Sequence, residues 1–118
     1  LVGSEMCIRD RFPAKEEWRG RILLLESSEE QMAPAKYKKA LVYLKDAGVF
    51  AAVSGVLVGR PMDGVWQAEY EQLLRQVIDD PALPVVCGLN AGHALPRCIV
   101  PLGVPARVDV QAQKIEFL

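Results

Sequence analysis

The sequence predicts an α/β domain: a β-α-β-α-β unit with parallel strands and helices packed on the sheet, then a short antiparallel β-rich segment at the C-terminus. Three short apolar runs, at residues 22–25, 56–58 and 84–87, are bounded by glycine, proline or charged residues, which is typical of buried parallel strands. Apolar residues recur at helical spacing between these runs. Because the linkers are short, right-handed crossovers place the three strands parallel in one sheet.

The first strand and helix are predicted from a continuous apolar run and a periodic one. Residues 22–25 read Ile-Leu-Leu-Leu and are followed by Glu26. Pro34 can open a helix, since the first turn does not need its missing N–H, and Gly48 can end it with a positive φ. One helical stripe lies between them: Tyr37, Ala40, Leu41 and Leu44.

The second strand is predicted over residues 52–58 and ends at the Gly-Arg-Pro of residues 59–61. Asp63 can cap the helix that follows. Apolar side chains recur along that helix: Trp66, Tyr70, Leu73, Leu74 and Val77. Residues 79–81 stop it, and residues 84–87 form the third strand.

The tail has a different pattern. Residues 107–110 and 114–117 alternate polar and apolar side chains, which is typical of half-buried antiparallel strands. We therefore expect a small β-rich segment packed beside the parallel unit.

Composition excludes several classes of function. The 118 residues are 51% hydrophobic and 25% charged with a formal net charge of -1, as in a single globular domain. Binding to nucleic acid or to an anionic membrane calls for a basic excess, so neither is expected. No apolar run approaches the ~20 residues that span a bilayer. Three scattered cysteines and one histidine cannot build a zinc site, so we expect no metal, no cofactor and a reduced, cytoplasmic protein.

The first eleven residues do not fit the domain. Residues 1–11 show neither helical nor strand periodicity and lack the apolar core of a secretory signal. The string is similar to translated sequencing-adapter sequence. We therefore expect a non-native leader at 1–11 and a domain at 12–118.

The chemistry points to two residues that follow predicted strands. His93 is the only histidine, and it lies in a loop punctuated by glycine and proline after the third strand. Glu26 follows the first strand. Since the carboxyl ends of parallel strands share one edge of a sheet, the carboxylate can orient one ring nitrogen while the other acts as a base. The alternative is a structural histidine on the surface.

A nucleophile is harder to find. Neither Ser27 nor Ser28 lies in a strained strand-turn-helix setting, and Ser54 is expected to be packed or hydrogen-bonded locally. Cys87 and Cys98 flank the histidine loop and could form a Cys–His dyad, although free cysteines are more often small buried hydrophobes.

Arg60 follows the second strand and so reaches the same edge. It is a candidate to clamp a substrate carboxylate or phosphate. The alternatives are an ion pair with an acid such as Asp63, or a solvated strand end.

Several separated motifs resemble the C-terminal domain of the LD-carboxypeptidase and microcin C immunity peptidase family. They occur in the family's order: the Gly-Arg-Ile-Leu-Leu-Leu-Glu of residues 20–26, the Ser-Gly-Val-Leu-Val-Gly-Arg of residues 54–60, Gly92-His93, and the Pro-Leu-Gly of residues 101–103. The sequence of residues 90–98 is more similar to the microcin immunity branch of this family.

The resemblance implies a cytoplasmic serine peptidase with a Ser-Glu-His triad. Glu26 and His93 match the two triad positions of this domain, and the family's serine lies in an N-terminal domain that this chain lacks. The implied substrates are a murein tetrapeptide, which loses its terminal D-alanine, or a toxic aminoacyl-nucleotide analogue. A homodimer is also implied, to which Trp66 and Tyr70 could contribute. The alternative function is a non-catalytic α/β ligand-binding or interaction domain.

Overall fold

The computed structural model describes residues 13–27 and 31–118. The leader predicted at residues 1–11 and the hydroxyl of Ser28 lie outside the described residues. The elements in chain order are α1 (Lys15–Trp18), β1 (Ile22–Leu25), α2 (Pro34–Asp46), α3 (Val49–Ala52), β2 (Gly55–Gly59), a 3₁₀ turn (Met62–Gly64), α4 (Gln67–Ile78), β3 (Val85–Leu89), β4 (Ala106–Asp109) and β5 (Lys114–Phe117).

The predicted α/β architecture is confirmed. The first three strands form a parallel sheet in the order β1-β2-β3, in which Leu57 of β2 pairs with Leu24 on one side and Val86 on the other. A second sheet is the antiparallel pair β4–β5, with Val108 opposite Ile115. The β-rich C-terminal segment is therefore also as predicted.

The core lies between the parallel sheet and its two long helices. All five residues of the central strand β2 are buried, and Val56 and Val58 belong to the same cluster as the helix residues Leu41 and Leu74. Helices α2 and α4 touch through stacked rings, since the centroids of Tyr37 and Tyr70 lie 4.0 Å apart. Of the stripe predicted on α2, only Ala40 is exposed.

The second strand begins later than predicted, because a short helix takes the start of the expected run. Gly48 adopts φ 79°, as predicted, but the chain turns there directly into α3. Val49 and Phe50 are buried, so this apolar stretch packs into the core as one helical turn rather than as strand. The prediction of a strand from residue 52 was wrong by three residues.

The start of the second long helix also differs. Asp63 does not cap it: the residue has φ 56° within the 3₁₀ turn, and α4 begins at Gln67. Trp66 is the left-handed residue before the helix and is exposed, not part of the apolar stripe. Tyr70 is buried within the domain and donates a hydrogen bond to the carbonyl of Met32, so it is not available for an interface between subunits. Strand β3 ends at Leu89, two residues beyond the predicted end.

Candidate active site

Three loops meet at the carboxyl edge of the parallel sheet. Glu26 directly follows β1, Arg60 directly follows β2, and the segment from 90 to 98 follows β3. We call this segment the histidine loop. Because the three strands are parallel, all three loops leave the same edge, which is where ligands bind in open α/β sheets.

Glu26 and His93 are in direct contact. Oε1 of Glu26 lies 2.7 Å from Nδ1 of His93, and each side chain is 29% exposed. That distance brings the carboxylate oxygen and the ring nitrogen into direct polar contact. A carboxylate at Nδ1 favours the tautomer in which Nδ1 carries the proton and Nε2 carries the lone pair. The contact thus favours Nε2 as the nitrogen that can act as a base.

Gly92 permits this contact. A Cβ atom at position 92 would lie 2.7 Å from Cγ and 2.9 Å from Cδ of Glu26. The residue also has φ 86°, a conformation that glycine adopts without strain. Gly92 is therefore needed for two reasons: it leaves room for the side chain of Glu26, and it allows the backbone turn before His93.

The histidine loop is anchored at several points. At position 59, a Cβ atom would lie 2.8 Å from the carbonyl oxygen of Ala91, so Gly59 lets the loop pass over the end of β2. The amide of Cys98 donates to the carbonyl of Asn90 at 2.6 Å, which closes the loop at its base. Ala91 and Ala94 are both buried. These contacts hold His93 on a fixed loop, as a catalytic group requires.

Arg60 binds the histidine loop. Its Nη2 donates to the carbonyl of Leu95 at 3.2 Å, and its backbone N–H donates to the carbonyl of Leu89. No ion pair joins it to Asp63, although the structure describes both residues. The side chain therefore supports the loop that carries His93, which neither alternative from the sequence anticipated.

A cavity of about 430 Å³ opens beside His93. Its walls come from the loop after β2, the start of α4 and the histidine loop. The polar and sulfur-bearing residues that line it are Arg60, Met62, Asp63, Gln67, His93 and Arg97. Sequence reasoning missed Gln67 and Arg97. Arg97 could have been noticed from its place in the same loop, four residues after the histidine.

Neither described serine suits the role of nucleophile. Ser54 lies at the opposite end of β2 from the site, and its hydroxyl donates to the carbonyls of Gly20 and Arg21, which are distant in sequence and not the local partners expected. The Oγ of Ser27 is buried and so is closed to a substrate.

The cysteines fit a structural role better. Cys87 packs against the core, and burial, followed by the charge of Glu71, raises the pKa of its thiol while Arg75 acts in the opposite direction. A raised pKa leaves less of the reactive thiolate. Cys98 is exposed at the end of the histidine loop.

Two other features are absent from residues 13–27 and 31–118. No group of three or more metal-ligating side chains occurs there. No helix in that part of the chain has the length and apolar character needed to cross a membrane.

Comparison with known proteins places the chain in a family. The model of the LD-carboxypeptidase C-terminal domain matches residues 1–108. The chain belongs to this family. The resemblance inferred from the sequence motifs is thereby confirmed, and the LD-carboxypeptidase family is one of peptidases.

Individual relatives agree with the family match. A crystal structure of an MccF-like protein from Streptococcus pneumoniae in complex with AMP is 51% identical over 90% of the chain, with a TM-score of 0.85. The microcin C7 self-immunity protein MccF of Escherichia coli is 30% identical over 83% of it. A muramoyltetrapeptide carboxypeptidase from Oxalobacter formigenes, 24% identical over 84% of the chain with a TM-score of 0.64, shares the fold.

The LD-carboxypeptidase C-terminal domain is only part of these relatives. The chain spans 29% of the length of the Escherichia coli protein, 31% of the Streptococcus pneumoniae chain and 36% of the Oxalobacter formigenes chain.

Proposed function

We propose that this chain is the C-terminal catalytic half of a serine peptidase and supplies Glu26 and His93 of a Ser-Glu-His triad. The observation that carries the proposal is the 2.7 Å contact between Oε1 of Glu26 and Nδ1 of His93 at the carboxyl edge of the sheet. A carboxylate paired with the Nδ1 side of an imidazole is the acid–base half of such a triad.

In the proposed reaction, His93 transfers the protons. Nε2 of His93 takes the proton of the serine hydroxyl as that oxygen attacks the amide carbon of the substrate. The imidazolium formed is stabilised by the Glu26 carboxylate, and it returns the proton to the departing amine. Water then hydrolyses the acyl-enzyme with the same imidazole as base. Glu26 keeps its charge throughout and acts by orientation and electrostatics.

The serine of the triad lies, in this proposal, in an N-terminal domain that this chain lacks. Two observations support the assignment. Neither described serine can be the nucleophile that His93 activates, because the Oγ of Ser27 is buried and Ser54 lies at the opposite end of the sheet. Apolar side chains in the histidine loop and just after it are also strongly exposed, with Leu95 at 75%, Ile99 at 93% and Leu102 at 75%, as expected where a chain contacts another domain.

Arg60 is proposed to act in substrate binding as well as in holding the loop. Arg60 lines the cavity beside His93, and its Nη2 donates a hydrogen bond to the carbonyl of Leu95. If it touches substrate, Arg60→Lys in the two-domain enzyme raises KM. A change in kcat alone would leave it only the role of supporting the loop.

For the substrate, we favour an aminoacyl-nucleotide analogue cleaved in the cytoplasm, the microcin immunity type. The support is the 51% identity to an MccF-like protein that was crystallised with AMP. A murein tetrapeptide is the other candidate, because the family is that of the LD-carboxypeptidases; cleavage of that substrate belongs to peptidoglycan recycling.

The experiment that tests the proposal is to sequence the source gene upstream of the codon for Phe12. We expect an in-frame domain with a serine in a strand-turn-helix elbow, and no native codons for the leader at residues 1–11. A native start codon near Phe12 with no such domain would leave Glu26 and His93 without a nucleophile. The non-catalytic α/β binding domain would then replace the peptidase.

A further inference from the structure

The cavity beside His93 carries an excess of positive charge. Arg60 and Arg97 both line it, and Asp63 is the one carboxylate-bearing residue among the described residues that line it. Asp63 already accepts a hydrogen bond from Nε2 of Gln31 at 3.5 Å. The charges within the cavity wall therefore do not balance.

The two arginines differ in how many of their side-chain hydrogen-bond donors are already used. Arg60 is half-buried and uses Nη2 to hold the carbonyl of Leu95. Arg97 is exposed, and no carboxylate lies within ion-pair distance of it in the part of the chain that the structure describes. Its guanidinium is thus the cation at this cavity with the most hydrogen-bonding capacity left.

We propose that Arg97 binds an oxyanion of the substrate at the mouth of this cavity and so determines which molecules are positioned against His93. A guanidinium presents a planar fork of donors that matches a carboxylate or a phosphate, and its charge persists at any physiological pH. Arg97 and His93 line the same cavity of about 430 Å³, so one small substrate can contact both residues. The specificity role rests on the proposed function, but the binding of an oxyanion does not.

The position of Arg97 on the histidine loop has a consequence for selectivity. Because Arg97 and His93 belong to one loop closed by the bond from Cys98 to Asn90, the loop limits the separation between their backbone positions. The anion is then held at a set distance from the bond to be cleaved. A neutral analogue would leave the guanidinium unmatched and lose this placement.

Two sources of the oxyanion are compatible with the site. One is the terminal carboxylate of a peptide, and the other is the phosphate of a nucleotide. Paired probes separate them: N-acetyl-D-alanine against its amide, and AMP against adenosine. The full 118-residue chain is titrated with each probe while the side-chain N–H signals of its arginines are followed by NMR.

The charged probe of at least one pair is expected to shift the signals of Arg97 and His93, and its neutral counterpart is not. A response to N-acetyl-D-alanine identifies a peptide carboxylate, and a response to AMP identifies a phosphate. Equal shifts with charged and neutral probes would overturn the proposal, and so would no shift with any of them.

Variants test whether Arg97 itself is responsible. Arg97→Gln is expected to weaken binding of the charged probe by about tenfold or more, the usual scale for a hydrogen-bonded ion pair, and Arg97→Lys by less. Arg107→Gln, on the exposed face of β4, is the matched control and is expected to change nothing. Unchanged affinity in Arg97→Gln would contradict the proposal. If binding depends on Arg97 but the two-domain enzyme hydrolyses nothing, the proposed function fails and the oxyanion site stands.

Discussion

At the scale of single residues, the pairing of Glu26 with His93 does two things. The carboxylate selects the ring tautomer, and it lowers the energy of the imidazolium that forms when Nε2 accepts a proton. Both effects fall steeply if the two side chains separate, because the interaction weakens with distance and with the entry of water. The 2.7 Å contact therefore depends on the contacts that anchor the histidine loop.

Replacing Gly92 by alanine is expected to break this contact. The new methyl carbon would lie 2.7 Å from Cγ of Glu26. Gly103→Ala is the matched control, since Gly103 has φ 74° but nothing within 4 Å of the Cβ position. Both variants carry strain of about 1 kcal/mol, so the difference between them isolates the clash. The NMR chemical shifts of the His93 ring should change in Gly92→Ala and remain unchanged in Gly103→Ala. The same His93 chemical shifts in both variants would refute this explanation.

The cysteines differ in reactivity for a physical reason. Burial, and then the charge of Glu71, raises the pKa of the Cys87 thiol, whereas Cys98 is exposed. At about pH 8, iodoacetamide should therefore modify Cys98 well before Cys87. Peptide mapping by mass spectrometry separates the two sites. Equal rates would show that β3 opens more readily than this packing allows.

At the scale of the elements, the sheet could be predicted because its strands are continuous apolar runs. Residues 22–25 lie between Arg21 and Glu26, so their ends are marked by charge, and β1 has those limits. Gly48 was correctly expected in the left-handed region. The sequence could not show that Val49 and Phe50 follow it as a helical turn, because only the space between the helices and the sheet decides between helix and strand there.

The site could be predicted in part for the same reason. Parallel strands end at one edge, which brought Glu26, Arg60 and His93 into consideration together. The bond from Arg60 to Leu95 and the close approach of Gly92 to Glu26 depend on the path of the histidine loop. No local pattern encodes that path, since the loop has neither helical nor strand periodicity.

Helix α4 is held to the core by Leu74, which is 1% exposed. Leu74→Ala is expected to lower the free energy of unfolding by roughly 2–5 kcal/mol, because it removes buried apolar surface and leaves a cavity. The exposed Leu102 offers a control: Leu102→Ala should change stability by no more than about 0.5 kcal/mol. Urea unfolding measures both, and a small loss at Leu74 would mean that α4 is not packed as described.

The contact between α2 and α4 also predicts sensitivity to alkali. Burial raises the pKa of Tyr37, with smaller contributions from the charges of Cys87 and Tyr70, so the folded protein keeps a proton that the unfolded chain releases near pH 10. Stability from this group is complete below that pH and is lost as the pH rises further.

Tyr37→Phe should therefore shift the midpoint of alkaline unfolding to higher pH. Tyr43→Phe, on the same helix and only partly buried, is the control and should shift it less. Equal midpoints for the two variants would show that burial of the Tyr37 hydroxyl does not limit stability in alkali.

At the scale of the whole molecule, the domain presents the proposed acid–base half of a catalytic site and several exposed apolar side chains. Glu26 and His93 lie at one edge of the sheet, and Leu95, Ile99 and Leu102 are exposed in the histidine loop and the segment after it. If another domain supplies the nucleophile, as proposed, Glu26 and His93 alone do not cleave amides. We therefore expect the isolated chain to show no hydrolysis of a murein tetrapeptide or of a glutamyl nucleotide analogue.

The most direct test of the central claim joins this chain to the N-terminal part of the Streptococcus pneumoniae relative, whose matching region is 51% identical. Turnover of the same two substrates is then measured for the parent chimera, Glu26→Gln, His93→Ala and the control Arg107→Gln. The account predicts hydrolysis by the parent and the control, and losses of roughly 10⁴-fold in the other two with the fold intact. Near-normal turnover in Glu26→Gln or His93→Ala would contradict it.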